Sequence, residues 1–143
     1  MKGTEFISAP DVYTADTVVV TDDEKDVMVL TWADREDNLV DPGSGTQATL
    51  YINFLKGFLN SATMRIYSSY SADPTVDEWF QETDAIGSLG TITLHNLEIT
   101  MADSTKCTWH FPIGAVRSLR ITVQGTGQYK LDTLDATIAI RTN

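Results

Sequence analysis

Four stretches of this chain alternate apolar and polar residues one for one, and that period of two commits their backbone to β-strands. In "ATLYINF", residues 48–54, Leu50, Ile52 and Phe54 share one face while Tyr51 and Asn53 take the other. "ATMRIYSSY", residues 62–70, sets Ala62, Met64 and Ile66 inward and Thr63, Arg65 and Tyr67 outward. "LRITV", residues 119–123, aligns Leu119, Ile121 and Val123 against Arg120 and Thr122. "LDATIAI", residues 134–140, aligns Leu134, Ala136, Ile138 and Ile140 against Asp135, Thr137 and Ala139. Each of these strands therefore has one dry face and one wet face, as in antiparallel sheets covered on one side.

Further strands are expected at 17–20, 27–33, 79–83, 91–101 and 107–111, which are rich in β-branched and aromatic residues. In "TITLHNLEI" the phase slips: Ile92 and Leu94 share a face, but Leu97 and Ile99 have the opposite parity. One extra residue near His95–Asn96 restores the register, which predicts a β-bulge or a sharp bend there. Between strands stand "TDDEKD" (21–26), "DPGSG" (41–45), "KGFLNS" (56–61), "ADPT" (72–75), "IGSLG" (86–90) and "GTG" (125–127). They read as turns, because Gly supplies positive φ and Pro fixes φ. Eight or nine short strands so spaced predict an all-β fold, an antiparallel β-sandwich that is jelly-roll-like. The sandwich is expected over 17–143 as one domain, preceded by a short extended N-terminal arm at 1–16 that carries Pro10 and few core-type residues. The longest and most acidic loop is "DREDNLVDPGSGT", residues 34–46.

Charge narrows the partners. Twenty acidic against ten basic residues leave a net charge of −10, which repels phosphate backbones, so no nucleic acid partner is expected. Lys56, Arg65, Lys106, Arg117, Arg120, Lys130 and Arg141 form no cluster that reverses this locally. No apolar run approaches the roughly 20 residues that span a bilayer, so no membrane partner is expected either. The opening "MKGTEFISAPDVYTADT" lacks the apolar centre of a secretory signal, and export by that route is not expected. Cys107 is the only cysteine, so it has no internal disulfide partner and suits a reducing compartment. It shares a strand face with Trp109 and Phe111 in "KCTWHFP" and reads as a buried thiol. A nucleophilic role needs a nearby base, for which only His95 and His110 are available.

Three constellations invite chemistry, and each meets an objection. Asp34, Glu36, Asn38 and Asp41 have alternate-residue spacing, but the helix–loop–helix calcium pattern needs Gly and Glu where Leu39 and Gly45 stand. Asp77, Glu78, Glu82 and Asp84 surround Trp79 and Phe80, yet glycoside hydrolysis needs two carboxyls at a set separation across a cleft. Trp32, Tyr67, Tyr70, Trp79 and Trp109 offer sugar-stacking surface, but Trp109 alternates with core residues. Adjacent Trp79 and Phe80 are expected to face opposite ways. His95 as a metal ligand lacks convergent donors. With no phosphate loop, dinucleotide fingerprint or nucleophile elbow, the expectation is a non-enzyme with no catalytic, cofactor-binding or metal residues.

"FLKGFLNSATMRIYSSY" (54–70), "WFQET" (79–83) and "VRSLRITVQGTG" (116–127) together resemble small structural proteins of tailed bacteriophages. The matching positions are Phe54, Lys56, Gly57, Ser61, Arg65, Trp79, Phe80, Gln81, Gly125 and Gly127. The resemblance implies a virion protein made in the host cytoplasm that decorates and cements a capsid, or alternatively builds a neck or tail ring. Its implied partners are the major capsid protein or other virion subunits, and further copies of itself, with a trimer as one form. The arm at 1–16 is then expected to add a strand to a neighbour's sheet edge. A non-catalytic carbohydrate-binding sandwich is the competing reading.

Overall fold

The alternating faces meet in a single core. Leu50, Ile52 and Phe54 from one sheet oppose Ala62, Met64 and Ile66 from the other, all at 2 % exposure or less. The structure, a computed structural model, describes residues 11–31, 47–88, 91–113 and 116–141. The acidic loop at 34–46, Trp32 and the first ten residues of the arm lie outside them.

The first sheet runs β1 (Asp11–Thr14), β12 (Thr133–Arg141), β4 (Gln47–Leu55), β10 (Thr105–Pro112), with β2 (Val18–Val19) also paired to β12. The second runs β3 (Lys25–Thr31), β11 (Ser118–Thr126), β5 (Ser61–Ser69), with β6 (Phe80–Gln81) and β9 (Glu98–Met101) sharing the outer edge of β5. Every pairing among the described residues is antiparallel. The chain crosses between sheets from β2 to β3, β3 to β4 and β4 to β5, and again from β9 through β12, so the two layers are interwoven. The protein is an antiparallel β-sandwich, as the alternation requires.

Residues 79–83 and 91–101 each divide. A 3-10 turn at Val76–Glu78 leads into β6, and β7 (Thr83–Ser88) pairs with β8 (Thr91–Asn96) as a separate hairpin. The phase slip at His95–Asn96 marks the point where the chain leaves this hairpin and joins the second sheet as β9. Leu97 donates its N–H to the Glu82 carbonyl at that crossing, and it packs on the core with Ile99 while Leu94 is exposed. Ile86–Ser88 continue β7, so the turn expected over 86–90 begins later. The register irregularity of the second sheet falls instead where β11 meets β3, opposite Ile121 and Thr122. There Val27 and Met28 are consecutive and both buried, the local sign of an extra residue in an alternating strand.

Within the segment expected as an arm, Asp11–Thr14 forms the edge strand β1 on β12 of the same chain. Cys107 and Trp109 pack against the core beside buried Phe111, but both are half-buried, so the thiol expected to be buried is only partly so. Trp79 and Phe80 depart from expectation: neither enters the core, because the short β6 sits at the sheet margin.

Candidate assembly surface

The two ends of the sandwich follow from the register. Leu55 and Thr133 pair at one end, whereas Gln47 with Arg141 and Ser69 with Ser118 pair at the other. The eight steps of β4 separate them by about 26 Å.

The first end is organised by one carboxylate. Asp132 is wholly buried, and its oxygens accept backbone N–H bonds from Gly57 (2.5 Å), Lys130 (2.8 Å), Phe58 (3.3 Å) and Leu59 (3.3 Å). Burial alone would raise its pKa, but four donors outweigh that and hold it below the ordinary carboxylate value. This explains the Lys-Gly pair of the turn: a Cβ on Gly57 would fall 1.8 Å from the Lys130 carbonyl oxygen. Gly125 lies under Leu59, Gly127 turns at φ +95°, and Ser61 hydrogen-bonds Thr126 at 2.7 Å. Half of the phage-like positions thus belong to one turn assembly.

Of the others, Arg65, Trp79 and Gln81 lie on the outer face of the second sheet, Phe80 rests on Tyr70 at its margin and Phe54 is buried in the core. Glu24 accepts hydrogen bonds from Thr122 (2.6 Å) and Tyr67 (2.7 Å), with Arg65 3.7 Å away. Arg65 also pairs with Glu98 at 3.2 Å and bonds Gln124 at 3.0 Å, and Gln81 donates to the same Glu98 carboxylate. Arg120 bonds Asp26, and its guanidinium sits 5.5 Å from the Tyr67 ring centre and 5.9 Å from that of Trp79. Burial opposes the Glu24 charge, yet the hydroxyl donors and both arginines prevail and lower its pKa. Burial, reinforced by the bond to Glu24, pushes the Tyr67 hydroxyl up to about 12. These polar groups are occupied by one another.

The outer face of the first sheet is different in kind. Tyr51, 52 % exposed, stands between cross-strand partners Thr108 and Thr137, with Thr14 bonded to Thr137 at 3.1 Å. One row further on, Asn53 lies between Lys106 and Asp135, the latter accepting a hydrogen bond from Thr17. These residues line an open depression of about 450 Å³. In the opposite direction Thr49 bonds the His110 ring at 2.9 Å. One lysine offsets one aspartate here, so the centre of this face is close to neutral on a strongly acidic chain.

The constellations suggested by the sequence can be followed only in part among the described residues. Asp34, Glu36, Asn38 and Asp41 lie outside the described residues, and among those described no cluster of metal-binding side chains forms. Glu78 caps the 3-10 turn by accepting from the Thr75 N–H at 2.9 Å, and Glu82 accepts from Ser68. Of the aromatic group, Tyr67 and Trp79 flank Arg120, Tyr70 rests on Phe80, and Trp109 meets Phe111 edge-on. They form no common row. Tyr51 is the aromatic that the face presents; only its outward parity signalled it.

No family model and no curated protein matches the chain. Three solved structures are similar in outline. One comes from Bacillus endospore appendages, described as a family of disulfide-linked pili: 12 % identity, TM-score 0.45, covering 94 % of this chain and 91 % of that one. The SPBc2 prophage-derived protein YomS has 13 % identity and a TM-score of 0.46 over 94 % and 96 % of the two chains. The infectious bursal disease virus Gx strain gives 9 % identity and a TM-score of 0.40, over 95 % of this chain and 34 % of that one.

Proposed function

We propose that this chain is a structural protein of a phage particle, most specifically a non-catalytic capsid decoration or cement protein. The observation that carries this reading is the outer face of the first sheet. It is broad, nearly neutral at its centre and topped by Tyr51, while the polar groups of the opposite face are engaged with each other. An open surface with an exposed tyrosine and few charges suits protein contact better than chemistry. The strand order β1-β12-β4-β10 facing β3-β11-β5-β6 supports the jelly-roll reading of the scaffold.

The mechanism is mass action. A protein that binds assembled shell subunits and not separated ones stabilises the shell by its binding free energy. Many copies add avidity without any one contact being large. Strand addition by residues preceding Asp11 onto a neighbour's sheet edge belongs to the same proposal, and selective protease protection of that segment on particles tests it. The direct test mixes the purified chain with empty shells assembled from the major capsid protein of the same phage genome. Saturable binding and a raised shell melting temperature are expected; shells that neither bind the chain nor gain stability refute the proposal.

A further inference from the structure

The row beside Tyr51 on the outer face of the first sheet carries opposite charges at its two ends. Asp135, Asn53 and Lys106 are cross-strand neighbours on β12, β4 and β10, so the charge runs minus, neutral, plus across the sheet. Two strand spacings, about 9.6 Å, lie between the acid and the base. Asp135 accepts a hydrogen bond from Thr17, but among the described residues neither it nor Lys106 is in a salt bridge. The other outward positions of these three strands between Thr49 and Leu55 hold hydroxyls, Tyr51, Ala139 and His110, with no carboxylate or ammonium. Asp16, Lys56 and Asp103 stand at the border, so the centre is neutral and the margin adds one net negative charge per copy.

Such a row is complementary to itself. A second copy laid face to face and related by a two-fold axis along β4 sets its Lys106 over Asp135 and its Asp135 over Lys106. A two-fold axis running across the strands would instead set each charge over its own kind, which is repulsive. The charges therefore select one of the two ways in which this face can meet itself.

We infer that the free protein forms an isologous dimer through the outer face of its first sheet, with the two-fold axis along β4. The facing strands run the same way, in the aligned packing of two sheets about 10 Å apart. Asn53 lies over Asn53 at the axis, where one amide can donate to the other. The two Tyr51 rings slide past each other, each entering the depression of about 450 Å³ on the facing copy. Exposed ion pairs contribute little affinity, so the charges fix the orientation while burial of the rings holds the copies together. Three facing strands about 26 Å long present roughly 400 Å² of projected area per copy, a size that gives a weak and reversible dimer.

This inference rests on the reading of the face as a protein-contact surface and names its occupant in the free protein; on a particle, a shell subunit takes that place. Its test uses the isolated chain, so its failure leaves the shell-binding assay to judge that reading separately. Sedimentation equilibrium of the wild type is expected to show monomer and dimer, and nothing larger, with a dissociation constant between about 10 µM and about 100 µM. Lys106→Glu places two acids opposite each other at both ends of the row, and Asp135→Lys places two bases there. Each variant alone is expected to dimerise at least about 10-fold more weakly, with a melting temperature close to that of the wild type. In an equimolar mixture of the two, every introduced charge meets its opposite, and heterodimers of near wild-type affinity are expected. A wild type that stays monomeric to about 1 mM or grows past the dimer overturns the inference. So does a single variant that associates like the wild type, or a mixture that pairs no better than its components.

Discussion

The two outer faces of the sandwich have the same backbone and opposite surface chemistry. On the second sheet, Glu24, Arg65, Glu98, Arg120 and Asp26 are tied together across four strands and the β2–β3 connection, deeply enough that Thr122 beneath them is fully buried. On the first sheet, Tyr51 and its threonine neighbours carry no such mesh. A face whose charges satisfy one another presents little for a partner to pair with. A face of hydroxyls and one exposed ring loses little on desolvation, which is the condition for a protein contact.

The contrast can be broken most sharply by charge on the first sheet. Tyr51→Asp is expected to weaken shell binding by about 100-fold, the loss typical of a central contact residue, while unfolding free energy moves by no more than about 0.5 kcal/mol. Equilibrium binding beside chemical denaturation checks both halves, and a large stability loss with intact binding would reverse the assignment. Asp132→Asn leaves both faces untouched yet weakens a charged acceptor of four N–H groups, and should destabilise the chain by about 2 kcal/mol. Thermal melting reads that as a fall of several degrees.

Arg120→Ala tests the other face. Losing the Asp26 bond and the contacts to Tyr67 and Trp79 is expected to lower stability by about 1 kcal/mol without changing shell affinity. The smallest effect is in the acid profile. Glu24 and Asp132 have folded pKa values below their unfolded ones, so the unfolded chain takes up protons first as pH falls. Their stabilisation is complete above the ordinary carboxylate range and is lost as pH drops through the depressed folded values. Denaturant midpoints measured from about pH 6 to about pH 2.5 should therefore decline, and Glu24→Gln and Asp132→Asn should each flatten the decline.

Strand faces were legible in the sequence because parity is a local property: the inward sets of β4, β5, β11 and β12 are the buried ones. The hairpin of β7 and β8 was not, since its phase slip looks the same whether a strand bulges or changes sheets. Asp132 was equally silent, because four donors from two segments about 75 residues apart converge only after folding. Tyr51 was placed on the wet face from the start, but nothing along the chain distinguished the neutral wet face from the charged one. That difference depends on which strands become neighbours.

The β7–β8 hairpin leaves the body of the protein where the edge of β5 passes from β9 to β6, and among the described residues its strands pair with each other and with no strand of the two main sheets. Lengthening it adds rungs to a ladder that neither main sheet depends on. The Ser88–Thr91 end of that ladder is accordingly a place to splice in a foreign epitope, and if the chain coats a particle as proposed, the particle would display that peptide once for every copy it carries.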